Sequence, residues 1–218
     1  MSASDSTVAS ITTKRRERMV ERQLRRRGIR DDRVLSAMGA VPRELFLPPD
    51  VRAQAYRDGA VAIGEGQTMS QPWVVACMTA LLGLTGTERV LEVGTGSGYA
   101  AAVLSLCCGE VVTIERHTSL ATRAATILDL LGFRNVVVLT GDGARGALDR
   151  GPFDGIVVTA SAEQRPPTAL FEQLKPHGTL VCPVKRIDGE YLMRFCDGAQ
   201  EDVVPVRFVP LVDSGSEA

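Results

Sequence analysis

Three glycines stand at alternate positions, Gly94, Gly96 and Gly98, with Glu92 two places ahead of the first. Glycine lets a backbone come close to a ligand and take conformations closed to other residues. A second carboxylate, Glu115, follows about 20 residues on, the distance at which α/β folds place a ribose ligand. A third, Asp142, is flanked by Gly141 and Gly143. Far upstream, Ser70 sits in a glycine-rich stretch over 63–72 that reads Ile-Gly-Glu-Gly-Gln-Thr-Met-Ser-Gln-Pro.

Spacing separates the ligands these groups can serve. A dinucleotide fingerprint, G-x-G-x-x-G, needs its third glycine at the sixth place. Counted from Gly94, that place is Tyr99. Glu92 is poorly suited beside a pyrophosphate, but suits a cationic donor or an ordered loop. This form of the loop belongs to S-adenosylmethionine sites, whose ligand is a nucleoside without pyrophosphate. Glu115 offers two acceptor oxygens for both ribose hydroxyls, a feature shared with NAD enzymes. Asp142 can accept from the adenine amino group, although Gly-Asp-Gly in isolation reads as a tight turn. The three groups each end a strand in the reading below, which favours a nucleoside.

Ser70 can cap the helix that Pro72 opens. No base lies near it in the sequence pattern, so it is not read as a covalent nucleophile. The two histidines, His117 and His177, are far apart, and the five cysteines show no metal or redox spacing. No metal site is expected.

The elements that must hold these residues alternate from residue 89 onward. Strands are expected at 89–93, 110–115, 135–140, 153–159 and 179–183, with helices at 100–106, 120–131 and 168–174. Buried strands separated by helices imply an α/β, doubly wound, mostly parallel sheet. Strands at 191–196 and 203–211 then form an antiparallel C-terminal hairpin. Before the sheet, helices are expected over 14–27, stopped by Gly28, and from an Asp31 cap to Pro42. A third follows Pro72 and ends at Gly83.

The chain is expected to form a single methyltransferase domain over 14–212. Residues 14–83 supply N-terminal helices and a substrate loop, and 84–212 the cofactor-binding sheet. Residues 1–13 and 213–218 read as disordered tails. The formal net charge of -1 argues against a nucleic-acid partner. No apolar run approaches the ~20 residues of a membrane span, and no secretory leader is visible. The Arg25-Arg26-Arg27 run reads as a solvated helix face. Small, scattered cysteines suit a reducing cytoplasm, and a monomer is expected.

At this point the sequence resembles the protein-L-isoaspartate O-methyltransferases, over residues 18–211. The resemblance rests on Gly66-Gln67-Thr68-Met69-Ser70-Gln71-Pro72, on Glu92-Val93-Gly94-Thr95-Gly96-Ser97-Gly98-Tyr99, and on Gly141-Asp142-Gly143. The strand at 153–160, the ending Arg207-Phe208-Val209-Pro210-Leu211 and the link Val41-Pro42-Arg43 add to it. Gly-Gln-Thr-x-Ser-Gln-Pro is not a general methyltransferase feature. Three places depart from the family pattern. Val61-Ala62 stands for Leu-Pro, Ser161-Ala162-Glu163 follows the fourth strand, and Lys185 follows Pro183-Val184 in place of glycine.

The resemblance implies a Rossmann-like, seven-stranded methyltransferase sheet and S-adenosyl-L-methionine as methyl donor, with S-adenosyl-L-homocysteine as product. It implies donor contacts from Gln67, Thr68, Met69, Ser70, Glu92, Gly94, Thr95, Gly96, Ser97, Gly98, Glu115, Arg116, Gly141, Asp142 and Gly143. Ser70 is implied as the catalytic residue, with Thr159, Ala160, Arg207 and Val209 beside the substrate. The implied substrate is the free carboxylate of L-isoaspartyl residues in damaged proteins, whose methyl ester closes to a succinimide and returns some normal aspartate. The close alternative is a methyltransferase acting on a normal aspartate of one dedicated peptide. A binding module without cofactor is opposed by the intact Glu92, Glu115 and Asp142, and a nicotinamide dehydrogenase by Tyr99.

Overall fold

The computed structural model describes residues 3–212, with side chains from Ile11 onward. The expected tail at 213–218 lies outside the described residues. At the other end, helix α1 (Ala3–Met19) already begins inside the stretch 1–13 that reads as a disordered tail. A helix anchored at one end extends by one hydrogen bond per residue at little cost, and the anchor is Met19, 1% exposed. The expected single helix over 14–27 is broken. Beyond Met19 the turns widen to a π-helix over Val20–Leu24, then tighten to a 3₁₀ turn over Arg25–Arg27. Gly28, at φ +95°, ends it. The widened turn brings Leu24 into the core while Arg22, Arg25, Arg26 and Arg27 stay exposed.

Helix α2 (Asp32–Ala40) is capped as its sequence implies, with Asp31 accepting from the N–H of Val34 at 3.0 Å. Its buried stripe is Val34, Leu35, Ala37 and Met38. Two 3₁₀ turns follow, Arg43–Phe46 and Pro49–Gln54. The glycine-rich stretch is not a plain loop. It forms an antiparallel hairpin of β1 (Val61–Gly64) and β2 (Gln67–Met69), pairing Val61 with Met69 and Ala62 with Thr68. Glu65 and Gly66, at φ +53° and +69°, make the turn, and two positive φ angles in succession match the twist of paired strands. Helix α3 (Pro72–Leu81) has Gln71 as N-cap and Pro72 in its first turn. Ser70 therefore lies one residue outside the cap.

The main sheet contains β3 (Arg89–Val93), β4 (Glu110–Glu115), β5 (Val136–Thr140), β6 (Phe153–Val158), β7 (Ala162–Glu163), β8 (Leu174–Arg186), β9 (Gly189–Cys196) and β10 (Ala199–Pro205). Helices α4 (Tyr99–Ser105), α5 (Thr118–Leu130) and α6 (Thr168–Phe171) connect them. The order is β10-β9-β8-β6-β3-β4-β5, with the two-residue β7 paired to β8 outside this path of seven. Strands β3, β4, β5, β6 and β8 are parallel, and β9 and β10 close the sheet antiparallel. This is the α/β, mostly parallel sheet with antiparallel C-terminal hairpin that the alternation of elements implies.

The central strands β3, β4 and β6, and the middle of β8, are buried on both faces. Val90, Val111, Val157 and Val181 pack toward α2, α3, α4 and α5, while Leu91, Val112, Ile156 and Leu180 pack toward α6 and the turns around Ala147. After β3 the chain builds outward through β4 and β5, then returns to the opposite side of β3 with β6. That reversal is a topological switch point, where open α/β sheets form a binding crevice at the carboxyl ends of the strands.

Candidate active site

A chamber of about 440 Å³ occupies that crevice. Gly94 reaches it from the end of β3, Glu115 from the end of β4 and Thr159 from the end of β6. Of the residues expected at the donor, Gln67, Thr68, Met69, Ser70, Glu92, Gly94, Thr95, Gly96, Ser97, Glu115, Arg116 and Gly143 line it. Of those expected at the substrate, Ser70, Thr159, Ala160 and Val209 line it. Val75, Met78, Leu104 and Val157 give it an apolar wall.

Both carboxylates are held in place before any ligand arrives. Glu115 is 5% exposed. Its Oε2 accepts from the N–H of Gly96 at 2.8 Å and its Oε1 from the N–H of His117 at 3.0 Å. Glu92 is fully buried and paired in register with Thr113 of β4. The Thr113 hydroxyl donates to Glu92 Oε2 at 2.6 Å, and Thr95 Oγ1 lies 2.6 Å from Thr113 Oγ1. Burial pushes the Glu92 carboxyl up to about 8, opposed by the Thr113 hydrogen bond and reinforced by the charge of Glu115. Its Oε1 is buried and has no hydrogen-bond partner among the described residues. A buried polar atom of that kind calls for a partner, and a cationic ligand group in the chamber would supply one.

The glycines divide by role. Gly94 is at φ +97°, and a Cβ there would stand 2.2 Å from Thr159 Oγ1. Thr159 uses its hydroxyl to donate to Gly94 O at 2.7 Å, so it ties the end of β6 to the loop. Gly98 does not line the chamber. It precedes α4 at φ +86°, and an added Cβ would meet Ala124 Cβ at 3.1 Å. Its role is close packing of α4 against α5. Gly141 is also outside the chamber, donating its N–H to Glu115 O at 2.9 Å. Asp142 lies outside as well, and its Oδ1 accepts from Ala144 N at 3.0 Å to cap a 3₁₀ turn. The tight-turn reading of Gly-Asp-Gly thus describes its geometry.

A second cavity, about 690 Å³, opens next to the first. Arg207 lines this one alone, together with Trp73, Arg27 and Phe208. Thr68, Ser70, Thr159 and Val209 line both cavities. The C-terminal segment is pinned across the junction, with Ser161 N donating to Val209 O at 2.7 Å and Leu211 N to Ser161 O at 2.8 Å. The chamber that holds Glu92 and Glu115 and the cavity beside it therefore meet at Thr68, Ser70, Thr159 and Val209.

Sequence reasoning missed Thr113, Tyr99 and Arg43. A threonine inside the apolar run of β4, two residues before Glu115, was the available signal for Thr113. Arg43 is 0% exposed, with its Nε donating to Ala55 O at 2.7 Å and its Nη2 to Ser70 O at 2.6 Å. Burial lowers its pKa.

Residues 14–216 match the family profile described as protein-L-isoaspartate(D-aspartate) O-methyltransferase. A protein-L-isoaspartate O-methyltransferase of Anaeromyxobacter sp. (strain Fw109-5) is 52% identical over 191 residues, covering 84% of this chain and 90% of that one. One from Synechococcus sp. (strain JA-2-3B'a(2-13)) is 48% identical over 208 residues, covering 90% and 85%. Among solved structures, a protein-L-isoaspartate O-methyltransferase superposes with a TM-score of 0.81 at 29% identity, covering 91% of this chain and 66% of that one. A Plasmodium falciparum structure, described as a candidate member of the same enzyme class in complex with S-adenosyl-L-homocysteine, gives a TM-score of 0.79 at 26% identity, covering 90% and 98%. Shared sequence over most of the length and a shared fold point the same way: the chain belongs to the protein-L-isoaspartate(D-aspartate) O-methyltransferase family.

Proposed function

We propose that this chain methylates the free α-carboxylate of L-isoaspartyl residues in damaged proteins and peptides, with S-adenosylmethionine as donor. The observation that carries the reading is the junction at Ser70, which lines both the chamber of the glycine loop and the adjoining cavity of Arg207. S-adenosylmethionine, when bound, supplies a methyl carbon activated by a positive sulfur, which the acceptor oxygen takes in a single displacement.

The chain's residues have modest tasks. Glu115 presents its carboxylate to the ribose, pre-oriented by Gly96 and His117. Glu92 faces the charged part of the donor. Val75, Met78 and Leu104 exclude water. Ser70 donates a hydrogen bond to one acceptor oxygen and leaves the other aimed at the chamber. The acceptor is already ionised at neutral pH, so no residue has to remove a proton. Rate enhancement comes mainly from alignment. The neighbouring backbone nitrogen then attacks the ester carbonyl, forming a C–N bond and expelling methanol, a far better leaving group than the oxygen of an ionised carboxylate. The succinimide so formed hydrolyses without an enzyme, returning part of the chain to normal aspartate.

The setting we infer is a cytoplasmic monomer acting on isoaspartyl proteins, without nucleic acid or membrane. All five cysteines are free, which suits a reducing compartment. Burial pushes Cys77 to about 11 and Cys107 and Cys108 to about 12, so these thiols are not nucleophiles at neutral pH. Among the described residues no helix is long and apolar enough to cross a membrane.

The test follows a synthetic L-isoaspartyl peptide by mass spectrometry in the presence of enzyme and donor. The expected sequence is methyl ester, succinimide, then a mixture containing the aspartyl peptide. Absence of any ester would contradict the reading.

A further inference from the structure

Arg43 opens a 3₁₀ turn directly after Pro42, far from the glycine loop in sequence. It is 0% exposed and forms no ion pair among the described residues. A buried charge without a counter-charge opposes folding, so its retention needs another account. Its contacts supply one. Nε donates to Ala55 O at 2.7 Å, Nη2 donates to Ser70 O at 2.6 Å, and the guanidinium carbon lies 4.6 Å over the ring of Tyr99. Tyr99 is 1% exposed and lines the donor chamber.

Ser70 and Gln71 are a two-residue link between β2 and α3, belonging to neither element. Gln71 is held from outside, where its Nε2 donates to Asp58 Oδ1 at 2.5 Å. Ser70 is held from inside, by Arg43. We propose that Arg43 is a positioning residue for methyl transfer: one guanidinium fixes the Ser70 peptide against the Tyr99 wall of the donor chamber, setting the direction of the Ser70 hydroxyl. A planar fork of donors suits two carbonyls and an aromatic face at once, whereas a lysine ammonium is a point charge on a flexible stem. Arg43→Lys keeps the charge and loses the fork.

The inference rests on the reading of Ser70 as the acceptor's hydrogen-bond donor. It is tested by a double-mutant cycle of Arg43→Lys and Ser70→Ala, read as kcat and KM for an isoaspartyl peptide, affinity for S-adenosylhomocysteine, and Tm. Arg43→Lys alone should lower kcat by about tenfold, roughly 1.4 kcal/mol, while affinity for S-adenosylhomocysteine changes less than about threefold. In the Ser70→Ala background the same change should cost kcat less than about threefold, because residues acting through one another are not additive. Additive losses would overturn the inference and leave the Ser70 reading intact. Full turnover by Ser70→Ala would overturn both. Should Arg43→Lys not fold, ¹⁵N NMR of the wild-type protein decides. The Arg43 Nε–H signal should move when the isoaspartyl peptide joins the S-adenosylhomocysteine complex, and an unmoved signal would overturn the inference.

Discussion

The backbone N–H of Gly96 donates to Oε2 of Glu115 across 2.8 Å. The glycine loop and the second-strand acid are therefore one unit, not two ligands that meet on a donor. The same carboxylate takes the N–H of His117 through Oε1, so it orients the start of the chain into α5 as well.

Glu115→Gln should accordingly weaken S-adenosylhomocysteine binding by at least about tenfold, since hydrogen bonds to a charged acceptor are worth roughly 1.5–3 kcal/mol each. Glutamine keeps one acceptor and replaces the other with a donor facing N–H groups, so Tm should fall too. Calorimetry on folded protein separates the two effects. A change in affinity below about threefold, under 1 kcal/mol, would remove Glu115 from the ribose.

Ser70→Ala should lower turnover while Tm stays within about a degree of wild type. The helix N-cap is Gln71, not Ser70, so the loss of about 1 kcal/mol that accompanies removal of a capping side chain is not expected. A stability loss of that size with unchanged turnover per folded molecule would contradict the assigned role.

Gly98→Ala should behave in the opposite way. Its φ of +86°, and the 3.1 Å at which an added Cβ would meet Ala124 Cβ, strain any larger residue, at a cost of roughly 1–3 kcal/mol. Affinity for S-adenosylhomocysteine per folded molecule should change little, because Gly98 does not line the chamber. Strong loss of affinity without loss of Tm would return Gly98 to the binding site.

The unliganded protein should lose stability as pH rises from about 4.5 to about 8, the interval between the ordinary and the buried pKa of Glu92. In that window the native state keeps a proton that the unfolded chain has released. The contribution is thus complete below the ordinary value and gone above the raised one. Glu92→Gln should flatten this part of a Tm-against-pH curve and exceed wild-type stability at pH 8. An unchanged slope would show that Glu92 is ionised in the fold.

The parallel core was legible because its strands are apolar runs ending in polar punctuation. The expected bounds 89–93 and 110–115 coincide with β3 and β4. The β1–β2 hairpin was not, because Gly64 and Gly66, two residues apart, read as a loop, and no local pattern announces that Glu65 takes φ +53°. Arg43 was legible only as part of a family-like link. Its role depends on carbonyls of Ala55 and Ser70, brought to it by folding, and no local pattern announces them. The departures at Glu163 and Lys185 looked like two separate oddities in sequence. They face each other in the β7–β8 register, and Lys185 Nζ donates to Glu163 Oε1 at 2.9 Å. Both side chains are more than half exposed, so the pair adds at most about 1 kcal/mol and leaves the chamber untouched.

The central claim is that this site selects the α-carboxylate of an isoaspartyl residue. That carboxylate sits about one methylene nearer the main chain than an aspartyl side-chain carboxylate, and displacement errors near 1 Å can cost about a hundredfold in rate. The most direct test compares labelled methyl transfer to two peptides identical except for L-isoaspartate or L-aspartate, at saturating S-adenosylmethionine. The account predicts ready methylation of the isoaspartyl peptide and a rate on its partner lower by about a hundredfold. Equal rates, or faster methylation of the normal aspartate, would contradict it and assign the chain to a dedicated aspartyl peptide instead.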